Sequence, residues 1–97
     1  MSNLDLAMSK LRREFIARLE GDATRLERAS TNSEWQEMTA IAHQLVGAAG
    51  LFGWPEISAL ASDLEGALIE GRPEEDRSRR LKALTKAIGE AVDGAQL

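Results

Sequence analysis

The sequence predicts an all-α protein, an antiparallel up-down four-helix bundle in a single domain. Apolar residues recur at steps of three and four along four segments, strand-like alternation is absent, and only two prolines occur. The connections between the segments are short, so neighbouring helices should run antiparallel. The 97 residues suffice for one domain with a modest core. We expect the domain to span residues 1–97, with frayed ends at about 1–4 and 93–97.

The first helix is expected from about Asp5 to Ala29, because one face carries a continuous apolar stripe. The members of the stripe are Met8, Leu11, Phe15, Leu19, Ala23 and Leu26. The segment 30–34, STNSE, then reads as a turn. It supplies Asn32 or Ser33 as the N-cap of the next helix.

The second helix is expected from about Glu34 to Phe52. Its stripe consists of Trp35, Met38, Ile41, Ala42, Leu45, Ala49 and Phe52. The helix should end at the sequence GWPE, because Gly53 suits a left-handed position after a helix. Pro55 suits the first turn of the helix that follows.

The third and fourth helices complete the bundle. The third is expected from about Pro55 to Glu70, with a stripe of Ile57, Leu60, Ala61, Leu64 and Leu68. Gly71, in the sequence GRPEED, ends it and precedes the start of the fourth. The fourth helix carries Leu81, Leu84, Ile88 and Val92 on one face.

Composition excludes several classes of function. The net charge is −4 and the only basic block is RSRR at 77–80. The sequence therefore shows no extended positively charged region of the kind that binds nucleic acid. The absence of cysteine excludes a disulfide framework and thiol chemistry. The N-terminus does not resemble a signal peptide, and no run of about 18 apolar residues exists. We therefore expect a cytoplasmic protein without a membrane span.

The single histidine, His43, is predicted to point away from the core. The stripe of the second helix is centred between Leu45 and Ala49, and at 100° per residue His43 lies about 150° from that centre. Val46 falls at the border between the two faces. The residues that share the face of His43 are Gln36, Thr39, Gly47 and Gly50.

This face is predicted to be a protein docking site. No charged residue occurs from Met38 to Pro55, where the composition of the chain would give about five. A bundle helix normally carries its charges on the solvated side, and an uncharged exposed surface is typical of a docking site. The candidate partner-binding residues are Gln36, Thr39, Gln44, Val46, Gly47 and Gly50.

One exposed imidazole limits the chemistry that is available. The nearest hydroxyl, that of Thr39, has no evident activation, and no second histidine or cysteine could complete a metal site. A histidine can, however, accept a phosphoryl group covalently at neutral pH. Gly47 would then leave room for the cleft of a partner that brings the metal and the cations. The simpler alternative is a surface histidine without chemistry, with glycines that serve helix packing.

The sequence HQLVGAAGLFG at 43–53 resembles the motif of histidine-containing phosphotransfer domains, H-x-L-K-G-[SA]-[SA]-x-x-[LF]-G. The positions that match are His43, Leu45, Gly47, Ala48, Ala49, Phe52 and Gly53. The surrounding amphipathic helices extend the resemblance over most of the chain. It implies that His43 takes phosphate from a receiver-domain aspartate and passes it to another receiver. It also implies no kinase activity, no cofactor of its own, and Mg²⁺ supplied by the receiver.

The chain departs from the motif at one position. Val46 stands where the family usually has a lysine, which is thought to hold or neutralise the phosphoryl group. The expected partners are receiver domains of response regulators and hybrid histidine kinases, with no nucleic acid and no membrane. We expect a monomer that binds receivers one to one.

The sequence leaves two alternatives to the phosphocarrier. The first is a receiver-binding module in which His43 is inert. The second is the dimerisation helix pair of a sensor kinase, which is disfavoured because those kinases follow the histidine with an acidic residue and a nearby proline. Here Gln44 follows the histidine, and no nucleotide-binding loop is present in the chain.

Overall fold

A computed structural model describes residues 2–95 and contains four α-helices. They are α1 (Asn3–Thr31), α2 (Trp35–Leu51), α3 (Pro55–Glu70) and α4 (Glu74–Ala95). Each helix packs against the next along the chain, and α4 packs against α1, so the four close a ring around one core. The predicted all-α four-helix bundle is confirmed.

The core is built from the predicted stripes. All four helices contribute fully buried side chains, the largest of which are Leu19, Leu26, Met38, Ile41, Leu45, Ile57, Leu64, Leu84 and Ile88. One prediction was wrong: Leu11 is exposed and Met8 is only half-buried. No described residue of α1 before Phe15 is buried, because the turn after α2 packs at the level of Phe15 and α4 ends beside Ser9, Arg12 and Arg13.

Two glycines and a proline end and begin helices as predicted. Gly53, after α2, has a φ of 90°, and Gly71, after α3, has a φ of 67°. Both values lie in the left-handed region, where a side chain is disfavoured. Pro55 is the first residue of α3, where its missing N–H costs no hydrogen bond.

The N-cap prediction for α2 was wrong. The N-cap residue is Glu34, which makes no side-chain capping bond. Asn32 is instead the C-cap of α1, and Ser33 adopts a positive φ of 56°. Their backbone N–H groups donate to carbonyls of the last turn of α1. The turn therefore closes α1, which reaches Thr31 rather than Ala29.

Helix also extends further towards both ends than expected. Residues 3–4 and 93–95 are helical, so α1 begins two residues before the expected Asp5. At the start, the Ser2 hydroxyl oxygen accepts a hydrogen bond from the backbone N–H of Asp5 at 3.1 Å, which caps α1. At the other end, buried Val92 holds the last turns of α4 to the core. Residues 1, 96 and 97 lie outside the described residues.

A buried carboxylate organises the start of α4. Asp76 accepts hydrogen bonds from Arg72 and Arg80 at 3.3 and 3.1 Å, and also from Arg79. The hydrogen bond from Arg80 lowers the pKa of Asp76, outweighing the opposing effect of burial. In the first turn of α4, the negative charge also meets the positive end of the helix dipole.

Asp76→Asn should lower the melting temperature at pH 7, because it removes the charge that three arginines contact. Because the pKa of Asp76 is lowered by folding, its stabilisation is fully present above the ordinary pKa of 3.8. It is lost as the pH falls through the pKa of the folded state. Thermal melts from pH 7 to about pH 2 should therefore show that the difference in melting temperature between the parent chain and Asp76→Asn disappears in acid. Glu75→Gln, in the same turn, is the control. A difference in melting temperature between the parent chain and Asp76→Asn that stays constant over this range contradicts the account.

Candidate functional site

The imidazole of His43 projects into solvent from the middle of α2. Its side chain is 75% exposed. The buried residues of α2 lie on the other side of the helix: Met38, Ile41, Ala42, Leu45 and Ala49. The angular prediction that His43 faces away from the core is confirmed.

A carboxylate from α3 holds one nitrogen of this ring. The Nδ1 atom of His43 lies 2.7 Å from Oε2 of Glu65. An ionised carboxylate only accepts hydrogen bonds, so Nδ1 carries the proton and donates it. In the neutral ring the free lone pair is then on Nε2, which the ring presents to solvent. The side chain of Glu65 is only 20% exposed, so the packing of α3 limits its movement.

Sequence reasoning missed Glu65. The two residues are 22 positions apart, and periodicity within one helix gives no information about that contact. The signal lies in the hairpin register, because His43 precedes Trp54 by eleven residues and Glu65 follows it by eleven. Two antiparallel helices joined by a tight turn bring such positions to the same level.

The candidate partner-binding residues divide into two groups. The exposed ones are Gln36, Gln44, Gly47 and Gly50, and the half-buried ones are Thr39 and Val46. The Thr39 hydroxyl donates to the carbonyl of Trp35 at 2.8 Å, so its proton is already engaged within α2. All six therefore keep at least part of their surface in solvent.

The two glycines near His43 have different surroundings. A Cβ atom on Gly47 would meet nothing within 4 Å, so the position borders open space. A Cβ atom on Gly50 would lie 3.5 Å from Oγ of Ser58 on α3. The Ser58 hydroxyl also donates to the carbonyl of Val46 at 2.6 Å, so the two helices approach closely here. Gly50 thus has a packing reason, whereas no packing contact accounts for Gly47.

Neither α2, which contains His43, nor α3, which packs beside it, contains a lysine or an arginine. No lysine or arginine occurs between Arg28 and Arg72, and all twelve basic residues lie on the other two helices and the turn before α4. The charged side chain that contacts the imidazole is the carboxylate of Glu65. A negative group bound to His43 would therefore find no positive side chain on α2 or α3.

Large apolar side chains are exposed on the same hairpin. Ile69 lies one helical turn after Glu65, so it shares the face of α3 that borders His43. Leu51, in the last turn of α2, is exposed as well. Sequence reasoning missed both, because it assigned α3 no exposed face next to the histidine.

Residues 2–95 show neither a cluster suited to a metal ion nor a helix suited to a membrane. In that range, no group of three His, Cys, Asp or Glu side chains is placed to hold a metal ion. None of the described helices combines the length and apolarity that a membrane crossing requires. The hairpin thus carries an exposed imidazole, a carboxylate that contacts it and a charge-free stretch at residues 38–55.

Comparison with known proteins gives one match. A sequence model of the family described as "Hpt domain" matches residues 10–94, a range that includes His43 and Glu65. No curated protein and no solved structure matches significantly. Because the match covers most of the chain and all four helices, the chain belongs to the Hpt domain family, the phosphocarrier modules of histidine phosphotransfer in phosphorelay signalling.

Proposed function

We propose that His43 is the phosphoacceptor, loaded by the aspartyl phosphate of one receiver domain and unloaded by the aspartate of another. The lone pair on Nε2 attacks phosphorus, the bond from phosphorus to the aspartyl oxygen breaks, and the carboxylate leaves. In the second transfer an aspartate oxygen of the other receiver attacks phosphorus, the bond from phosphorus to Nε2 breaks, and the lone pair returns to Nε2. The observation that carries the proposal is the exposed imidazole of His43 with its Nδ1 proton held by Glu65.

Glu65 would act as a positioning residue. By accepting the Nδ1 proton it keeps the nucleophilic lone pair on Nε2 and fixes the plane of the ring. When the bond from Nε2 to phosphorus forms, positive charge develops on the ring. A carboxylate 2.7 Å from Nδ1 stabilises that charge, as a carboxylate does for the imidazolium of a catalytic triad.

The charges required by the transferring group would come from the partner. Phosphoryl transfer depends on cations that stabilise the equatorial oxygens, and α2 and α3 provide none. We infer that Mg²⁺ and basic side chains arrive with the receiver domain. The chain itself would supply a positioned nucleophile and have no kinase activity.

The receiver would dock over the hairpin formed by α2 and α3. The proposed contact residues on α2 are Gln36, Thr39, Gln44, Val46, Gly47 and Gly50. Ile69 adds an exposed apolar side chain on α3, of the kind that anchors an interface when a partner covers it. The lack of charge on this surface of α2 lowers the desolvation cost of docking.

A transfer assay tests this function against its main alternative. Receiver domains carrying ³²P-aspartyl phosphate are mixed with the chain, and both binding and label are followed. A phosphocarrier acquires label that is labile in acid and stable in base. A binding module with an inert histidine forms the complex but acquires no label, and that result would overturn the proposal.

Glu65→Gln should slow transfer by about 10- to 100-fold, the usual loss when a partner of a functional histidine is removed. Affinity for the receiver should stay nearly constant, because Glu65 is mostly covered by its own domain. Rapid-quench kinetics separate the rate from the affinity, and ¹⁵N NMR of the imidazole should show a loss of the single tautomer. Asp63→Asn, an exposed carboxylate two residues earlier, is the control. Equal rates for the two variants would show that Glu65 is only structural.

Val46→Lys should lengthen the lifetime of phosphorylated His43 several-fold and weaken receiver binding. A lysine stem can lie along the half-buried position and hold its ammonium near the phosphoryl group. Between exposed charges such an attraction contributes about 1 kcal/mol or less. The half-life of the label and the receiver affinity should both be measured, with Val46→Met as the uncharged control. A shorter half-life together with tighter binding contradicts this reading of Val46.

A further inference from the structure

The first helix is longer than the two helices that it packs against. With 29 residues α1 spans about 44 Å, whereas α2 and α4 have 17 and 22 residues. Its first residues, 3–14, form just over three turns and contain no buried side chain, and Ser2 caps them as regular helix. We call residues 3–14 the overhang. It accounts for much of the 49 Å length of the molecule.

The overhang carries an apolar stripe that continues the core stripe of α1. Leu4, Met8 and Leu11 precede buried Phe15 at spacings of four, three and four residues, which is the spacing of a coiled-coil seam. Leu4 is 71% exposed and Leu11 is 45% exposed. The stripe points in the direction of the core, and beside it Ser9, Arg12 and Arg13 line a pocket with Trp54 and Ala95, so the end of α4 reaches this level. Among the described residues Met8 is half-buried while Leu4 and Leu11 stay exposed, so most of the seam has no partner helix there.

We propose that a second copy of this chain covers the seam, with the two overhangs packed antiparallel. In this arrangement Met8 of each copy packs against Leu11 of the other, and Leu4 lies at the level of the neighbouring Phe15. The Phe15 ring already stacks on half-buried Phe52 and Trp54, at centroid distances of 5.2 and 5.7 Å. The tip of the second overhang thus meets a partly open aromatic end of the bundle.

The charges beside the seam favour the antiparallel orientation. Asp5 and Arg12 flank it on the same side, and neither forms an ion pair within residues 2–95. Antiparallel packing places Asp5 of one copy opposite Arg12 of the other, and the two-fold symmetry repeats the pair. Parallel packing would instead bring Arg12 beside Ala7 of the neighbour, with no attraction. The pattern is self-complementary in one orientation only.

The interface leaves the functional surface free. His43 precedes Phe52 by nine residues, about 14 Å along α2 from the aromatic end. The dimer therefore presents two open phosphoacceptors. Because the overhang is short, the interface falls in the small, transient class, with a dissociation constant on the order of 100 μM. The expectation of a monomer assumed that the four helices bury all of one another's apolar stripes. The start of α1 leaves Leu4 and Leu11 exposed instead.

Sedimentation equilibrium of the full chain from about 10 μM to 1 mM tests the proposal, since this range brackets the expected constant. Leu11→Asp should abolish association. Leu6→Asp should not, because Leu6 is 54% exposed on the opposite side of the same helix. Both side chains are exposed, so circular dichroism should show unchanged helicity in both variants.

Charge reversal tests the orientation without touching the seam. Asp5→Arg should weaken association several-fold by placing two arginines opposite each other. The double variant Asp5→Arg with Arg12→Asp should restore it. A monomer over the whole concentration range, equal effects of the Leu6 and Leu11 variants, or no recovery in the double variant would each overturn the proposal.

Discussion

His43→Gln should fold like the parent chain and accept no phosphoryl group. The side chain is 75% exposed, so its replacement removes no core contact, and surface changes of this kind usually alter stability by less than about 0.5 kcal/mol. The amide nitrogen of glutamine can still donate to Glu65, which keeps the hairpin contact. The nucleophilic lone pair is lost, and the chain has no second histidine to replace it.

The expected loss is complete rather than partial, so the assay is simple. Labelled receiver is incubated with His43→Gln and with Lys82→Gln, a control on the exposed surface of α4. The control should take up label at the parental rate, and receiver binding should persist in both variants. Label on the His43→Gln chain would place the acceptor elsewhere.

Gly47→Gln should reduce transfer by a factor of ten or more while the domain becomes slightly more stable. Glycine in a helix costs about 1 kcal/mol relative to good helix formers, and a Cβ atom at this position meets nothing. The new side chain therefore enters the space in front of α2, one turn after His43. It would hold the phosphorus of a docked receiver away from Nε2, and even a shift of about 1 Å can cost 100-fold in rate.

Gly89→Gln is the matched control for this prediction. Gly89 is also helical and exposed, with open space at its Cβ position, but it lies on α4. Both variants should show a similar rise in melting temperature. Only the Gly47 variant should show slower transfer, in rapid-quench measurements at saturating receiver. Parental rates in both would mean that Gly47 does not provide clearance.

Features that are determined by residues close together in the sequence could be predicted from it. The four helices and the direction of His43 follow from the 3.6-residue period, which is local to each segment. The left-handed conformation of Gly53 and the helix end at Gly71 follow from the chemistry of single residues. These features can be read from neighbouring positions, so the sequence and the structure agree on them.

The features that were missed depend on contacts between segments. Glu65 meets His43 only through the register of the hairpin, which no single helix encodes. The exposure of Leu11 depends on where the other helices end, because its spacing in α1 is that of a core residue. Asn32 and Ser33, in the turn after α1, are good N-cap residues, but their backbone N–H groups donate to carbonyls of the last turn of α1 and so end that helix. In each case a second segment decides the outcome.

The central claim is that phosphorus bonds to Nε2 of His43 while Nδ1 stays on Glu65. It is tested most directly by NMR of the phosphorylated chain with ¹⁵N-labelled imidazole, in which coupling to ³¹P identifies the bonded nitrogen. The account predicts coupling to Nε2 and a protonated Nδ1, the nitrogen that lies 2.7 Å from Glu65. Coupling to Nδ1, or a phosphoryl group without coupling to either ring nitrogen, would contradict it.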